Sequence, residues 1–196
     1  MAARRAAARD EILTAAWQLA GEHGLAGLSL RDLGALVGMK AQSLYSYFPS
    51  KHAIHDAMFR QGYEQFIEAT TLAEPTGAVT AAKVREMSLA QAYAFFDFCT
   101  ADLARYQLLF QRTIPGFVPS QESMAMAMTA YERTVGRLST LGITDVHALD
   151  LWTAVMTGLA GQQLANDPGG MRWRDRIPDA VDMLLAYTTS PRRSSR

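Results

Sequence analysis

The sequence predicts an all-α fold, because apolar residues recur at helical spacing and Ser, Asp, Gly and Pro residues separate the stretches that show it. We find no run of alternating apolar and polar residues long enough to indicate a β-strand. Of the 196 residues, 49% are hydrophobic, which is typical of a folded globular protein. The expected chain is therefore a succession of helices with a substantial core.

The first predicted helix covers about residues 9–22. Ile12, Ala16 and Leu19 lie one turn apart and form an apolar face. Gly24 is expected to end this helix, because glycine readily takes the left-handed conformation found at helix ends. The helix should therefore pack through one side against the elements that follow it.

Two short helices joined by Gly38 are predicted next. Ser29 and Asp32 form a capping-box pattern at the start of the first of them, in which each side chain bonds to the backbone amide of the other residue. The second helix begins at about residue 41, and Leu44 and Phe48 point inward by their spacing. This layout predicts a helix-turn-helix, which places its second helix in the DNA major groove.

DNA recognition by such a helix needs small or polar residues near its start and donors for phosphate around it. The residues suited to contacts with bases are Ala41, Gln42 and Ser43. The residues suited to contacts with phosphate are Arg31, Tyr45, Tyr47 and Lys51, and Lys40 adds positive charge. The alternative interpretation is an ordinary helix hairpin with a solvated outer face.

Charge is distributed unevenly although the formal net charge is zero. Up to residue 60 there are seven Lys and Arg residues against five Asp and Glu, and the remainder has twelve against fourteen. This surplus is too small to predict tight binding to arbitrary DNA. Arg4, Arg5 and Arg9 precede or begin the first helix, either as an arm that reaches DNA or as a disordered, solvated N-terminus.

The rest of the chain predicts a connecting helix and a second domain. Ser50 is expected to cap a helix over about 51–72, and the residues at 74–77 indicate a linker. Five more helices are predicted, at about 79–100, 102–111, 120–141, 145–166 and 174–187. The predicted division is a helix-turn-helix DNA-binding domain at 1–50, the connecting helix, a ligand-binding and dimerisation domain at 76–190 and a basic tail at 191–196.

Residues 9–60 resemble the DNA-binding domain of the tetracycline-repressor (TetR) family of bacterial regulators. This resemblance covers about a quarter of the chain. The residues that carry it are Ala15 and Ala16 before Gly24, Ser29-Leu30-Arg31-Asp32-Leu33, Val37-Gly38, Ser43-Leu44-Tyr45 and Tyr47-Phe48-Pro49-Ser50-Lys51. The family differs from this chain at Lys40 and Gln42, where a small capping residue and Gly are frequent.

The resemblance implies an all-helical homodimer that represses transcription until a small molecule binds. It implies that Arg31 touches phosphate or a base edge and that Gln42 and Ser43 face bases. It further implies that Tyr45, Tyr47 and Lys51 contact phosphate. The expected DNA partner is a pseudo-palindromic double-stranded operator with half-sites on one face of the duplex.

The second half offers candidates for a small-molecule pocket. Apolar and aromatic residues recur there at helical spacing, although such stripes also form ordinary core. The candidates are Tyr93, Phe96, Cys99, Phe110, Met124, Met128, Tyr131, Trp152 and Met156. The ten methionines indicate an adaptable interior, so the expected effector is mostly apolar. Asp97, Arg112 and Gln163 are the polar candidates for orienting it.

The last two long helices carry a stripe of small residues flanked by larger apolar ones, which suits close helix packing. The dimer-interface candidates are Leu151, Ala154, Val155, Gly158, Gly161, Val181, Leu184 and Leu185. The family resemblance implies a four-helix interface between two copies, and the alternative is packing within one chain. Recognition of a two-fold symmetric DNA site favours the dimer, because both recognition helices must face the same side of DNA.

Other function classes have little support. His52, His55 and Asp56 suggest a metal site only superficially, because no further His or Cys lies nearby in sequence. Neither a catalytic motif nor a cofactor motif stands out, so we expect no enzyme and no cofactor, although Asp97, Cys99 or the histidine pair would carry an all-α enzyme. The single cysteine and the lack of a membrane-length apolar run fit a cytoplasmic protein. The main alternative is a small-molecule-binding protein of the same fold without DNA function.

Overall fold

The computed structural model describes residues 1–72 and 80–189, which form nine α-helices and one short 3-10 helix. This part of the chain contains no strand, which confirms the all-α prediction. The helices are α1 (Ala2–Gly27), α2 (Leu30–Leu36), α3 (Ala41–Leu44), α4 (Lys51–Ala69), α5 (Ala81–Thr100), α6 (Leu103–Phe110), α7 (Gln121–Thr140), α8 (Val146–Asn166) and α9 (Ile177–Thr189), with the 3-10 helix at Arg174–Arg176.

The chain divides into two compact units. Unit 1 consists of Met1–Gln65 and Asp102–Met128, and unit 2 consists of Phe66–Ala101 and Thr129–Arg196. Helix α6 and the start of α7 therefore belong to the same unit as the helix-turn-helix, although they follow the linker in sequence. The predicted linker at 74–77 and the basic tail at 191–196 lie outside the described residues.

Helix α1 begins earlier than the sequence pattern predicts. It starts at Ala2 rather than near residue 9, so the N-terminus is neither a disordered segment nor an extended arm. Alanine and arginine both favour helix, and the N-terminal stretch consists almost entirely of them. Gly24 interrupts the helix with φ at 73°, which confirms the expected left-handed glycine there.

Most of the predicted caps form. The Ser29 hydroxyl accepts from the Asp32 amide at 3.4 Å, and the Ser50 hydroxyl accepts from the Ala53 amide at 3.0 Å. The Asp32 carboxylate accepts from Nε of Arg31 at 3.4 Å, a bond that the capping-box prediction did not include. Side-chain caps also begin the helices α5, α6 and α8, at Thr80, Asp102 and Asp145. These local bonds explain why the predicted and observed starts of α4, α5, α6 and α8 nearly agree.

The core of unit 1 contains the apolar faces that the sequence predicted. Helix α1 packs on α2 and α6, and α2 packs on α3. The buried residues include Ile12, Ala16, Leu19, Leu33, Leu44, Phe48, Ile54 and Met58. At the start of α7, the Asp56 carboxylate accepts from the amide and the hydroxyl of Ser120, at 2.7 and 2.8 Å. The Ser120 hydroxyl in turn accepts from the Ser123 amide at 3.2 Å, so Asp56 of α4 holds the residue that caps α7.

In unit 2, helices α5, α8 and α9 pack against one another. Two bidentate ion pairs link these elements at the surface: Arg85 bonds Asp182 at 2.6 and 2.9 Å, and Arg174 bonds Asp97 at 2.8 and 2.9 Å. Among the residues at 1–72 and 80–189, no helix combines the length and the apolarity that a membrane crossing requires.

Candidate functional site

The turn between α2 and α3 is built for close approach of the two helices. A Cβ atom on Gly34 would lie 2.6 Å from the carbonyl oxygen of Met39, a distance that only glycine avoids. Gly38 turns the chain with φ at +64°. Leu44 anchors α3 from below, because its side chain is buried. These three positions fix the orientation of α3 on α2.

The polar residues predicted to contact bases lie on the outer side of this anchored helix. Gln42 and Ser43 are exposed, and Ala41 is half-buried. Tyr45 exposes 50% of its surface just beyond the helix, and Tyr47 is half-buried. The predicted base-contacting residues thus lie together at the start of α3, directly before the exposed Tyr45.

The basic residues flanking α3 differ in their exposure and in their hydrogen bonds within the protein. Arg31 and Lys40 are exposed. Lys51 is half-buried, and its ammonium donates to the carbonyl of Ala26 at 2.8 Å. This bond ties the start of α4 to the end of α1, a role that the sequence did not suggest. Two of the three ammonium donors remain for another acceptor.

Two arginines of α1 hold the segment that follows α3. Arg9 donates to the carbonyl of Tyr47 at 2.5 Å, and its guanidinium lies 4.2 Å from the centre of the Phe48 ring. Arg5 donates to the carbonyl of Ser46 at 2.6 Å. We call this arrangement the arginine clamp. It occupies two of the three arginines predicted as a possible arm and leaves Arg4 exposed.

The histidine pair packs against an aromatic ring and shows no metal geometry. The ring centres of His52 and His55 are 6.1 Å apart, and Phe117 lies edge-on to both, at 6.0 and 5.8 Å. His55 is fully buried, and burial together with the charge of Lys51 lowers its pKa to about 4. Throughout the described part of the chain, no cluster of three potential metal ligands occurs.

An aromatic cavity of about 260 Å³ lies in unit 1. Of the predicted pocket residues, Phe110 and Met124 line it, and so does Arg112. Phe59 and Tyr63 from α4 form part of the wall, with their ring centres 4.9 Å apart. The cavity therefore contacts α4, the helix that follows the helix-turn-helix.

The other predicted pocket residues have different surroundings. Four of them are buried in the core of unit 2, and they are Phe96, Cys99, Trp152 and Met156. Met128 and Tyr131 are exposed on α7, and Tyr93 lies under the guanidinium of Arg174 at 4.5 Å. Helical spacing identified these apolar faces, but it did not distinguish filled core from cavity wall.

The polar candidates for ligand orientation serve mainly as structural partners. Asp97 pairs with Arg174. Gln163 is buried at the end of α8, where it donates to the carbonyl of Asp167 and accepts from the amide of Trp173 at 3.0 Å. Both residues hold the segment between α8 and α9.

A second cavity, which the sequence did not suggest, lies in unit 2 and encloses about 360 Å³. We call it the polar cavity, because seven of its ten described lining residues are arginine, threonine or glutamine. Its lining residues are Ile67, Thr70, Thr71, Leu72, Gln91, Arg133, Thr134, Gly136, Arg137 and Thr140. The sequence feature that could have indicated this cavity is a pair of arginines one turn apart on α7, Arg133 and Arg137.

The predicted dimer residues divide into two groups. Leu151, Ala154 and Gly158 are exposed along α8, with Val155, Gly161 and Leu185 half-buried. Val181 and Leu184 are buried within unit 2, so their side chains are not available to a partner. The large apolar side chains that α9 does expose are Met183 and Tyr187.

Comparisons with known proteins agree with this geometry. A sequence model described as "Bacterial regulatory proteins, tetR family" matches residues 12–58, from α1 into α4. The HTH-type transcriptional repressor Rv1353c of Mycobacterium tuberculosis is 22% identical over 192 residues, covering 92% of this chain and 69% of that protein.

Solved structures share the fold. A TetR family transcription regulator from Marinobacter aquaeolei VT8 matches with a TM-score of 0.68 at 16% identity, over 95% of this chain and 97% of the other. The transcriptional regulator FadR from Bacillus subtilis, solved in complex with stearoyl-CoA, matches with a TM-score of 0.62 at 15% identity, over 90% and 97%. The helix-turn-helix segment of this chain thus resembles that of the TetR family of bacterial transcriptional regulators, and the chain shares the fold of a solved member of that family.

Proposed function

We propose that the protein is a cytoplasmic repressor that binds a pseudo-palindromic operator as a homodimer and is released by a small, mostly apolar effector. The observation that carries this proposal is the exposed polar side of α3, where Gln42 and Ser43 directly precede the buried anchor Leu44. A solvated hairpin would not require the close α2–α3 approach that Gly34 provides.

In this proposal, Gln42 makes a paired contact with adenine, and Ala41 packs on a thymine methyl group. The tyrosine hydroxyls of Tyr45 and Tyr47 bond phosphates beside the reader helix. The exposed basic residues Arg31 and Lys40 and the free donors of Lys51 add phosphate contacts.

Dimerisation would use the exposed small residues of α8. Ala154 and Gly158 permit close approach of a second helix, and Leu151 supplies apolar area beside them. On α9 the exposed Met183 and Tyr187 replace the buried Val181 and Leu184 as the available apolar contacts. An isologous interface of this kind presents two reader helices to one face of DNA.

The aromatic cavity is the proposed effector site, because its apolar wall suits an apolar molecule and includes two residues of α4. The Bacillus subtilis FadR structure contains stearoyl-CoA, a ligand with a long apolar part. One conformer of the protein fits the operator, and another fits it poorly. Release follows only if the effector has a higher affinity for the second conformer than for the first.

Selection of bound sites from random duplex DNA, followed by binding titrations at two salt concentrations, tests the proposal. We expect an enriched inverted repeat that Tyr45→Ala and Lys51→Ala bind more weakly across all sequences, whereas Gln42→Ala changes sequence preference. Tyr131→Ala is the matched control, because Tyr131 has 45% exposure, close to that of Tyr45.

An inverted repeat that all three variants bind as tightly as the wild-type protein would overturn the assignment of α3 as the reader. Weak, strongly salt-dependent binding without an enriched site would instead favour the ligand-binding protein without DNA function.

A further inference from the structure

The polar cavity differs in chemistry from the aromatic cavity of unit 1. Gln91, from the middle of α5, is the most enclosed polar side chain of its wall, with 3% of its surface exposed. Its carbonyl oxygen Oε1 is buried and has no hydrogen-bond partner among the residues at 1–72 and 80–189. Burying an acceptor without a donor costs free energy of folding. A molecule in the cavity that donates a hydrogen bond to Oε1 would therefore be stabilised there.

The threonines of the wall offer acceptors rather than donors. Thr70 and Thr71 donate their hydroxyl protons to carbonyls of α4 at 2.7 and 2.6 Å. Thr134 and Thr140 do the same on α7 at 3.1 and 2.7 Å. Because each proton is already used, the oxygen lone pairs are what these hydroxyls present to a ligand.

The positive charges of the wall come from two arginines. Arg137 donates to the carbonyl of Leu72 at 3.1 Å, which holds that guanidinium at the end of the cavity wall. Arg133 is exposed one turn earlier on α7 and has no hydrogen bond or ion pair to the residues at 1–72 and 80–189. The described lining contains no Asp or Glu, so the local charge is positive.

We propose that the polar cavity binds a small hydroxylated carboxylate. Arg133 pairs with the carboxylate, a contact for which guanidinium geometry is well suited. Ligand hydroxyls donate to Oε1 of Gln91 and to the hydroxyl oxygens of Thr70 and Thr134. The volume of about 360 Å³ falls within the range of small-molecule sites. This site is additional to the proposed apolar effector site and does not depend on it.

Thermal unfolding and calorimetry of the full chain with gluconate test the site. Sorbitol retains the hydroxyls without the charge, and hexanoate retains the charge without the hydroxyls. We expect gluconate to raise the unfolding temperature and to bind at least about tenfold more tightly than either control compound. Gluconate binding no tighter than sorbitol or hexanoate would overturn the proposal.

Variants of α5 and α7 separate ligand binding from protein stability. Gln91→Met removes the unpaired acceptor, so it should raise the unfolding temperature of the free protein and abolish the response to gluconate. Ser88→Ala is its matched control, because the Ser88 hydroxyl is also buried on α5, without a partner in the described part of the chain, but does not line the cavity. Arg133→Gln, at an exposed position, should abolish the response without affecting stability.

A response lost in Gln91→Met and Arg133→Gln but kept in Ser88→Ala would support the site. A response kept in both of the first two variants would overturn it. A fall in the unfolding temperature of free Gln91→Met would also count against it, because Oε1 would then have a partner in the unliganded protein. None of these readouts involves DNA, so failure here is distinguishable from failure of the proposed repressor function.

Discussion

The arginine clamp gives a prediction whose size follows from the structure. Arg9→Ala removes the bond to the carbonyl of Tyr47, made at 2.5 Å, and the contact with the Phe48 ring, made at 4.2 Å. A hydrogen bond to a charged donor contributes about 1.5–3 kcal/mol, and a cation–π contact at a partly exposed site about 0.5–1 kcal/mol. Since Arg9 is half-buried, we expect a loss of about 2–3 kcal/mol.

The assay combines thermal unfolding with operator binding over a range of salt concentrations. For a chain of this length the loss corresponds to a fall in Tm of about 4–12 °C. Operator affinity should fall because the segment with Tyr45 and Tyr47 loses its support. The slope of affinity against salt should not change, because the guanidinium of Arg9 bonds the protein rather than phosphate.

Two matched variants sharpen this test. Arg4→Ala removes an equal charge from an exposed residue of the same helix, so it should leave Tm unchanged. Arg9→Lys keeps the charge but lacks the planar group that both stacks and donates, so it should have an intermediate Tm. If Arg9→Ala unfolds at the wild-type temperature, or if it lowers the salt slope, the clamp does not support the reader.

Three further perturbations are expected to act on unit 1. Because the pKa of His55 is lowered to about 4 from 6.5, the unfolded chain binds the extra proton between these values, and stability should fall by up to about 3 kcal/mol as the pH drops through that range. Urea unfolding at pH 7 and pH 4.5 should show this loss reduced in His55→Leu but retained in His52→Gln. Gly34→Ala should cost about 1–3 kcal/mol in urea unfolding, since its Cβ would meet backbone at 2.6 Å, whereas Gly21→Ala, with open space around it, should gain up to about 1 kcal/mol. Ser50→Ala should cost about 1 kcal/mol by the same measurement through loss of the α4 cap.

Local signals in the sequence predicted the helices well. A cap is a bond between residues three apart, so Ser29 and Ser50 could be recognised from short patterns. The glycine break at Gly24 likewise depends on one residue. For the same reason, the exposed polar side of α3 and its anchor Leu44 follow from the spacing of a few neighbouring residues.

Contacts between distant segments were not predictable in this way. The clamp joins Arg9 to a carbonyl 38 residues away, and a backbone acceptor leaves no mark in the sequence. Val181 belongs to an apolar face that periodicity identifies, but periodicity does not tell whether that face packs on its own chain or on a second copy. The polar cavity was missed because three of its four threonines, Thr70, Thr71 and Thr140, lie at helix ends, where such residues are common.

The bonds from Asp56 to Ser120 have a consequence for local opening. Ser120, whose hydroxyl caps the first turn of α7, is held by the Asp56 carboxylate of α4 at 2.7 and 2.8 Å, and Arg60 of α4 also pairs with Glu122. Amide protons at the start of α7 should therefore exchange with solvent when the first half of α4 opens, rather than when the later turns of α7 do. Slow exchange in these two segments would mark them as one cooperative unit.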